Sequence, residues 1–193
     1  MRGRRLVSTA QGLKTALAWQ RLQDEAQKAL ASRHRYAFGL KHLVETRVLA
    51  HDSFTDSLAT TLGKKLGSMQ TTIDYGAMAA SAYDDDPELV EAAAHDLFRW
   101  SELDPAAAGH DGFLRIFLFF KGFHCVQGAR VAHHFYTREG GGGRMLACAL
   151  QSEMADTFGV GACEAPSCLR AHGAHPPDDD PQRAFALGPP HPS

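Results

Sequence analysis

The sequence predicts an all-α fold, a helical bundle of about seven or eight helices followed by a disordered C-terminal tail. Three observations predict it. From Leu13 to about Phe158 the apolar residues recur at helical spacing. No segment sustains the period-2 alternation of β-branched residues that marks a strand, and Val and Ile are sparse. After Val160 the character changes. Seven of the nine prolines lie beyond it, and the large apolar residues shrink to Leu169, Phe185 and Leu187. A segment with so little to bury cannot offset its ordering entropy.

Composition narrows the class further. The chain has 193 residues, 44% hydrophobic and 22% charged, with a formal net charge of −2. This is the balance of a globular protein, and it carries no basic footprint for nucleic acid. The longest apolar run, Phe113–Phe120, is interrupted by Arg115 and falls well short of the roughly 20 residues of a membrane span. Four cysteines in this length do not make a disulfide framework.

The elements follow in order. Met1–Gln23 carries Arg2, Arg4, Arg5, Lys14 and Arg21 and no acid, a composition shared with organellar transit peptides. Its shortness and few serines favour a basic lead-in to a helix, so the expected location is cytoplasmic, with plastid or mitochondrion as the alternative. Leu22, Ala26, Ala29 and Leu30 form one stripe, and Tyr36, Leu40, Leu43 and Val44 a second. Phe54, Leu58, Leu62 and Leu66 form a third, preceded by Ser53 with Asp56 three residues on, a capping-box pattern. Gly67 stands where a left-handed cap would end that helix. Asp86-Pro87-Glu88 reads as an N-cap, a proline in the first turn and an acid on the positive end of the dipole. Val90, Ala93, Ala94 and Leu97 follow on one face. Asp104-Pro105 repeats the cap pattern. Phe113–Phe123 reads as one helix with aromatics on nearly every face, either a buried central helix or a self-association surface. Gly140–Gly143 breaks a helix ending near Tyr136 from one starting near Met145.

Few residues suggest chemistry on their own. Cys163, Cys168, His172 and His175 offer four zinc-type ligands, but at an uncommon spacing and with no apolar residues to pack round an ion, so no metal site is expected. His133 and His134 face about 100° apart on a helix, which suggests one buried and one exposed ring rather than a shared ion. No nucleophile elbow and no phosphate loop is present.

Asp104-Pro105-Ala106, Phe119-Phe120-Lys121-Gly122-Phe123-His124, Gln127, Arg130-Val131-Ala132-His133, Leu150-Gln151-Ser152 and Phe158-Gly159-Val160 together resemble the N-terminal half of serine O-acetyltransferase. His51-Asp52-Ser53-Phe54, Leu62-Gly63-Lys64-Lys65-Leu66-Gly67-Ser68 and Asp86-Pro87-Glu88 resemble that family's earlier helical signature. The resemblance spans roughly Trp19 to Val160. It implies a helical domain preceding a left-handed parallel β-helix, in a family that moves acetyl from acetyl-CoA to the hydroxyl of L-serine on the way to cysteine. It also implies that Asp104 contacts L-serine, that a histidine–aspartate dyad on the β-helix is the base, and that β-helices trimerise while helical domains join two trimers.

After Val160 the sequence departs from that pattern. The family continues Asp-Ile-His-Pro into hexapeptide repeats, whereas this chain reads Gly161-Ala162-Cys163-Glu164-Ala165-Pro166. The abrupt change reads as a shifted frame or an alternative exon. The expected domains are therefore 1–18, a basic N-terminal segment; 19–160, the helical domain; and 161–193, a disordered Pro-rich tail. No residue of the chain is expected to be catalytic, and Asp104 is the one substrate-binding residue. Acetyl-CoA remains the family co-substrate, with no cofactor bound by this chain. L-serine and a second copy through the helical domain, as a dimer, are the expected partners, without nucleic acid or membrane. Family members often end in an isoleucine that docks into O-acetylserine sulfhydrylase. Pro192-Ser193 stand in its place, which argues against that contact. The expectation is a helical assembly domain inactive alone. The alternatives are an interaction or regulatory module for full-length subunits, or the product of a mis-predicted gene model.

Overall fold

A computed structural model of the chain describes residues 9–31, 37–67, 72–138 and 141–159. The tail from 160 onward, with the Cys163, Cys168, His172, His175 quartet, lies outside the described residues. Within them the fold is wholly helical. The helices are α1 (Thr9–Ala31), α2 (Ala37–Val44), α3 (Phe54–Leu66), α4 (Tyr75–Asp85), α5 (Glu88–Leu103), α6 (Gly112–Phe119), α7 (Lys121–Thr137) and α8 (Gly141–Phe158). A π-turn, Glu45–Leu49, continues α2, and a 3₁₀ turn, Pro105–Ala107, follows α5. The most extensive pairings are α7 with α8, α3 with α4 and α1 with α5.

The apolar stripes become the core. Leu22, Ala26, Leu58, Leu62, Leu66, Ala93, Ala94 and Leu97 are buried, and Ala29, Leu30 and Leu43 pack against them. A run of rings crosses the bundle: Trp19 of α1 meets Phe54 of α3 at 6.5 Å, Phe54 meets Phe117 of α6 at 6.1 Å, and Phe117 meets Phe123 of α7 at 6.3 Å. Tilted ring pairs at such separations add to the area they bury. The α3–α4 contact requires glycine, because a Cβ on Gly63 would come 2.5 Å from the Gly76 Cα.

The expected caps form. Ser53 Oγ accepts from the Asp56 N–H at 3.1 Å and donates to the Asp56 carboxylate at 2.6 Å. Asp86 Oδ1 accepts from the Glu88 N–H at 3.2 Å, with Pro87 already in helical conformation. At α4, Asp74 Oδ1 likewise accepts from the Ala77 N–H at 2.9 Å.

Three expectations are corrected. Gly67 is not left-handed; its φ is −71° and its N–H returns to the Gly63 carbonyl at 2.7 Å, so the helix ends by a last α-type bond. Phe113–Phe123 is not one helix. Phe120 turns to φ −77°, ψ 106° and splits it into α6 and α7. The break lets Phe113, Phe117 and Phe123 all reach full burial, so the segment is core, and only Phe119 stays 48% exposed. The glycine run does not delay the last helix to Met145, since Gly141–Gly143 already belong to α8. Gly143 packs there against the carbonyl of Phe135, to which a Cβ would come within 2.6 Å. The π-turn has no local signal in the sequence. The Ala50 N–H reaches back to the Glu45 carbonyl at 2.8 Å, the Ser57 hydroxyl donates to the Arg47 carbonyl, and the Arg47 guanidinium donates to the Thr60 carbonyl. Contacts from α3 hold this turn.

Candidate functional site

Asp104 sits at a junction. Its own N–H closes α5 on the Trp100 carbonyl at 2.9 Å, and its Oδ1 opens the 3₁₀ turn by accepting from the Ala106 N–H at 2.8 Å. Proline in the first turn sacrifices no bond there, because that N–H would have had no helical partner. Capping occupies one carboxylate oxygen and fixes the direction of the other. The side chain lies at the negative end of α5, where the dipole disfavours an anion, so the cap is what holds it there.

Around Asp104 lies a surface cavity of about 340 Å³ lined by Arg99, Trp100, Leu103, Asp104 and Pro105. The wall is mostly apolar, with one carboxylate and one guanidinium. Arg99 reaches Glu102 at only 3.9 Å between exposed groups, a pairing worth little in water. The indole of Trp100 stands edge-on to Phe120 at 5.9 Å between centroids. It lies against Gly122, where a Cβ would come 2.9 Å from Trp100 Cη2. Among the described residues the lining holds no histidine, cysteine or lysine, and its one carboxylate is the capping Asp104.

Other motif residues have structural partners. Arg130 forks onto Asp96 of α5, at 2.5 Å from Nη1 to Oδ2 and 3.3 Å from Nη2 to Oδ1, and Gln127 Nε2 donates to the same carboxylate at 2.9 Å. This triad ties α7 to α5. His133 is exposed while His134 is mostly covered, as the spacing suggested. Burial pushes the His134 imidazole below its ordinary pKa, helped by Arg138 and opposed by Asp85 and Asp86. His124 is 1% exposed, and its Nε2 lies 2.8 Å from the Phe117 carbonyl. Its pKa is lowered to about 4, by burial first and then by the cations Lys65 and Arg47.

A second recess, about 450 Å³, lies between α1 and the segment before α6. Its central acid is already engaged. Glu25 accepts from Arg21 Nε at 3.0 Å and from the Leu114 N–H at 2.9 Å. No local pattern announces Glu25, because its partner lies 89 residues away. Among the described residues no group of three or more His, Cys, Asp or Glu side chains is placed to hold a metal ion, and no helix is long and apolar enough to cross a membrane.

Comparison with known proteins adds a family. Residues 18–128 match the family described as serine acetyltransferase, N-terminal. Serine acetyltransferase of Salmonella typhimurium is 30% identical over 145 residues, covering 75% of this chain and 50% of that protein. A rice protein (Oryza sativa subsp. japonica) named probable serine acetyltransferase 5 is 33% identical over 144 residues, covering 74% and 39%. Among solved structures, soybean serine acetyltransferase complexed with serine superposes with a TM-score of 0.65 at 30% identity, over 76% of this chain and 57% of that one. Neisseria gonorrhoeae serine acetyltransferase gives 0.64 at 30% identity, over 74% and 52%. The chain spans about half the length of the curated bacterial relatives it matches.

Proposed function

From the premise that this chain belongs to the serine acetyltransferase family, through that family's N-terminal domain, we propose that it supplies the helical half of an L-serine site and does not transfer acetyl by itself. The observation that carries this is the Asp104 cavity. The capped carboxylate keeps an oxygen for the ammonium or hydroxyl of a small amino acid, and Arg99, in the same lining, would attract its carboxylate. A zwitterion fits that pair of charges. Transfer from acetyl-CoA needs more: a base to take the hydroxyl proton and a surface to position the thioester. Among the described residues the lining's carboxylate, Asp104, is engaged in its cap and assigned to the substrate, and no thioester-binding surface adjoins it, which supports a reading in which base and donor surface arrive from another segment or subunit.

L-serine titration followed by the Trp100 indole N–H resonance tests the binding claim. A saturable shift at millimolar L-serine, lost in Asp104→Ala, is the expected result. No shift in the wild-type chain, or a shift that survives the substitution, contradicts it.

Self-association through the helical domain is a second reading, favoured by the surface of α1. Leu13 and Leu17, one turn apart, are 60% and 47% exposed. This moves the proposed contact away from Phe113–Phe123, whose rings are mostly consumed by the core. Sedimentation equilibrium at micromolar concentration should show reversible dimerisation weakened by Leu17→Glu; a monomer at all concentrations removes this reading.

A further inference from the structure

The break at Phe120 and the Asp104 cavity share a wall. α6 and α7 are divided at Phe120 with neither glycine nor proline at that position to force the turn. The Phe117 carbonyl, left at the end of α6, accepts instead from a side chain, His124 Nε2, at 2.8 Å. Because Nε2 faces a carbonyl, it carries the proton, and Nδ1 is left as a buried acceptor without a partner. The ring is held on two more sides. Phe158, at the end of α8, stacks on it at 6.2 Å and 20°, and Phe123 stands edge-on at 5.8 Å.

On the other side of the break, the chain meets Trp100 twice. Phe120 supports the indole edge-on, and Gly122 supports it by having no side chain. Trp100 in turn forms the wall beside Asp104. Any change in the path of residues 120–122 is therefore transmitted to the cavity.

We propose that His124 is a positioning residue for the Asp104 cavity: its bond to the Phe117 carbonyl fixes the break at Phe120, and the break sets the Trp100 wall. That the cavity receives substrate rests on the reading above; the positioning itself involves no ligand and is tested without one.

The charges acting on His124 are Lys65 from α3 and Arg47 from the π-turn, both cations; α6 contributes the accepting carbonyl, and α8 the Phe158 ring. The imidazole is accordingly neutral near neutral pH. On acidification the imidazolium still donates to Phe117, but a buried charge then sits beside two others of the same sign. The break should loosen with protonation of this ring.

The chain has two tryptophans, Trp19 and Trp100, which allows a direct test. Trp19→Phe leaves Trp100 as the sole reporter, and Trp100→Phe leaves Trp19. His124→Ala should shift Trp100 emission to the red and open it to acrylamide, while leaving Trp19 unchanged. His124→Gln, whose amide reaches toward the same carbonyl, should restore the wild-type signal. Gly122→Ala should displace Trp100 with His124 intact. An unmoved Trp100 in folded His124→Ala overturns the proposal. So does an equal change in both reporters, which would mean general loosening. If His124→Ala does not fold, acid titration of the two reporter chains decides. A Trp100 transition that precedes any change in Trp19 supports the proposal; simultaneous change, or none, overturns it.

Discussion

The first turns of α3 and α6 meet the same demand by opposite means. A helix start leaves four N–H groups without helical partners. At α3 the remedy is local: Ser53 caps Asp56 from three residues away. At α6 the preceding Asp111 makes no side-chain cap, its carboxylate instead pairing with Arg115 at 3.2 Å. The acceptor comes from α1, where Glu25 takes the Leu114 N–H. The ends of the two helices differ less. Both helices close on their own backbone, Gly67 on the Gly63 carbonyl and Phe120 on the Ile116 carbonyl, but at α6 a side chain is added, His124 on the Phe117 carbonyl. One helix is specified by its neighbours in sequence, the other by its neighbours in space.

If this contrast is right, substitutions around α6 should cost more than those around α3, and should do so through contacts distant in sequence. The largest effect is expected for Phe117→Ala. The ring is fully buried between Phe54 and Phe123, so its loss leaves a cavity worth about 3–5 kcal/mol. Urea denaturation should show the midpoint fall without a change of slope.

Acid comes next. His124 is pushed down to about 4, below the ordinary value near 6.5 that it regains on unfolding. The unfolded chain therefore binds the extra proton between those values. The stabilisation is complete above about pH 6.5 and is lost as pH falls toward about 4, amounting at most to about 3 kcal/mol. His134, also lowered chiefly by burial, acts in the same direction. Thermal melts from pH 7 to pH 4 should fall less steeply in His124→Gln than in the wild type.

Glu25→Ala should cost about 1–3 kcal/mol, because it orphans the buried Leu114 N–H and frees Arg21 from its partner. Hydrogen exchange at Leu114 should accelerate well before exchange in α3. Ser53→Ala should cost least, about 1 kcal/mol, with faster exchange confined to the first turn of α3. Equal costs for Glu25 and Ser53 would remove the contrast.

The same contrast explains what could be read in the sequence. The stripes Phe54–Leu66 and Val90–Leu97, the caps at Ser53, Asp86 and Asp104, and the opposed faces of His133 and His134 depend on spacing within a turn or two. That information is local, and the structure bears it out. The break at Phe120 lacks the glycine or proline that announces a turn. Its contacts come from three helices, with His124 on the Phe117 carbonyl, Phe158 stacked on His124 and Trp100 against Phe120. Glu25 has no motif at all. The π-turn is held by Ser57 and Thr60 of the next helix. Gly67 misled because glycine permits a left-handed cap without requiring one. At the candidate site, the Asp104 cap was legible through its Asp-Pro setting. Arg99 and Trp100 were not, since an arginine and a tryptophan on a helix signal nothing until the cavity brings them together.

The central claim, that this chain holds a serine-facing wall and lacks the means to transfer acetyl, is tested most directly by free CoA release from acetyl-CoA in the presence of L-serine. The account predicts no serine-dependent release above the background without protein. Serine-dependent turnover by the purified chain, abolished by Asp104→Ala, would contradict it and place the missing base within these 193 residues.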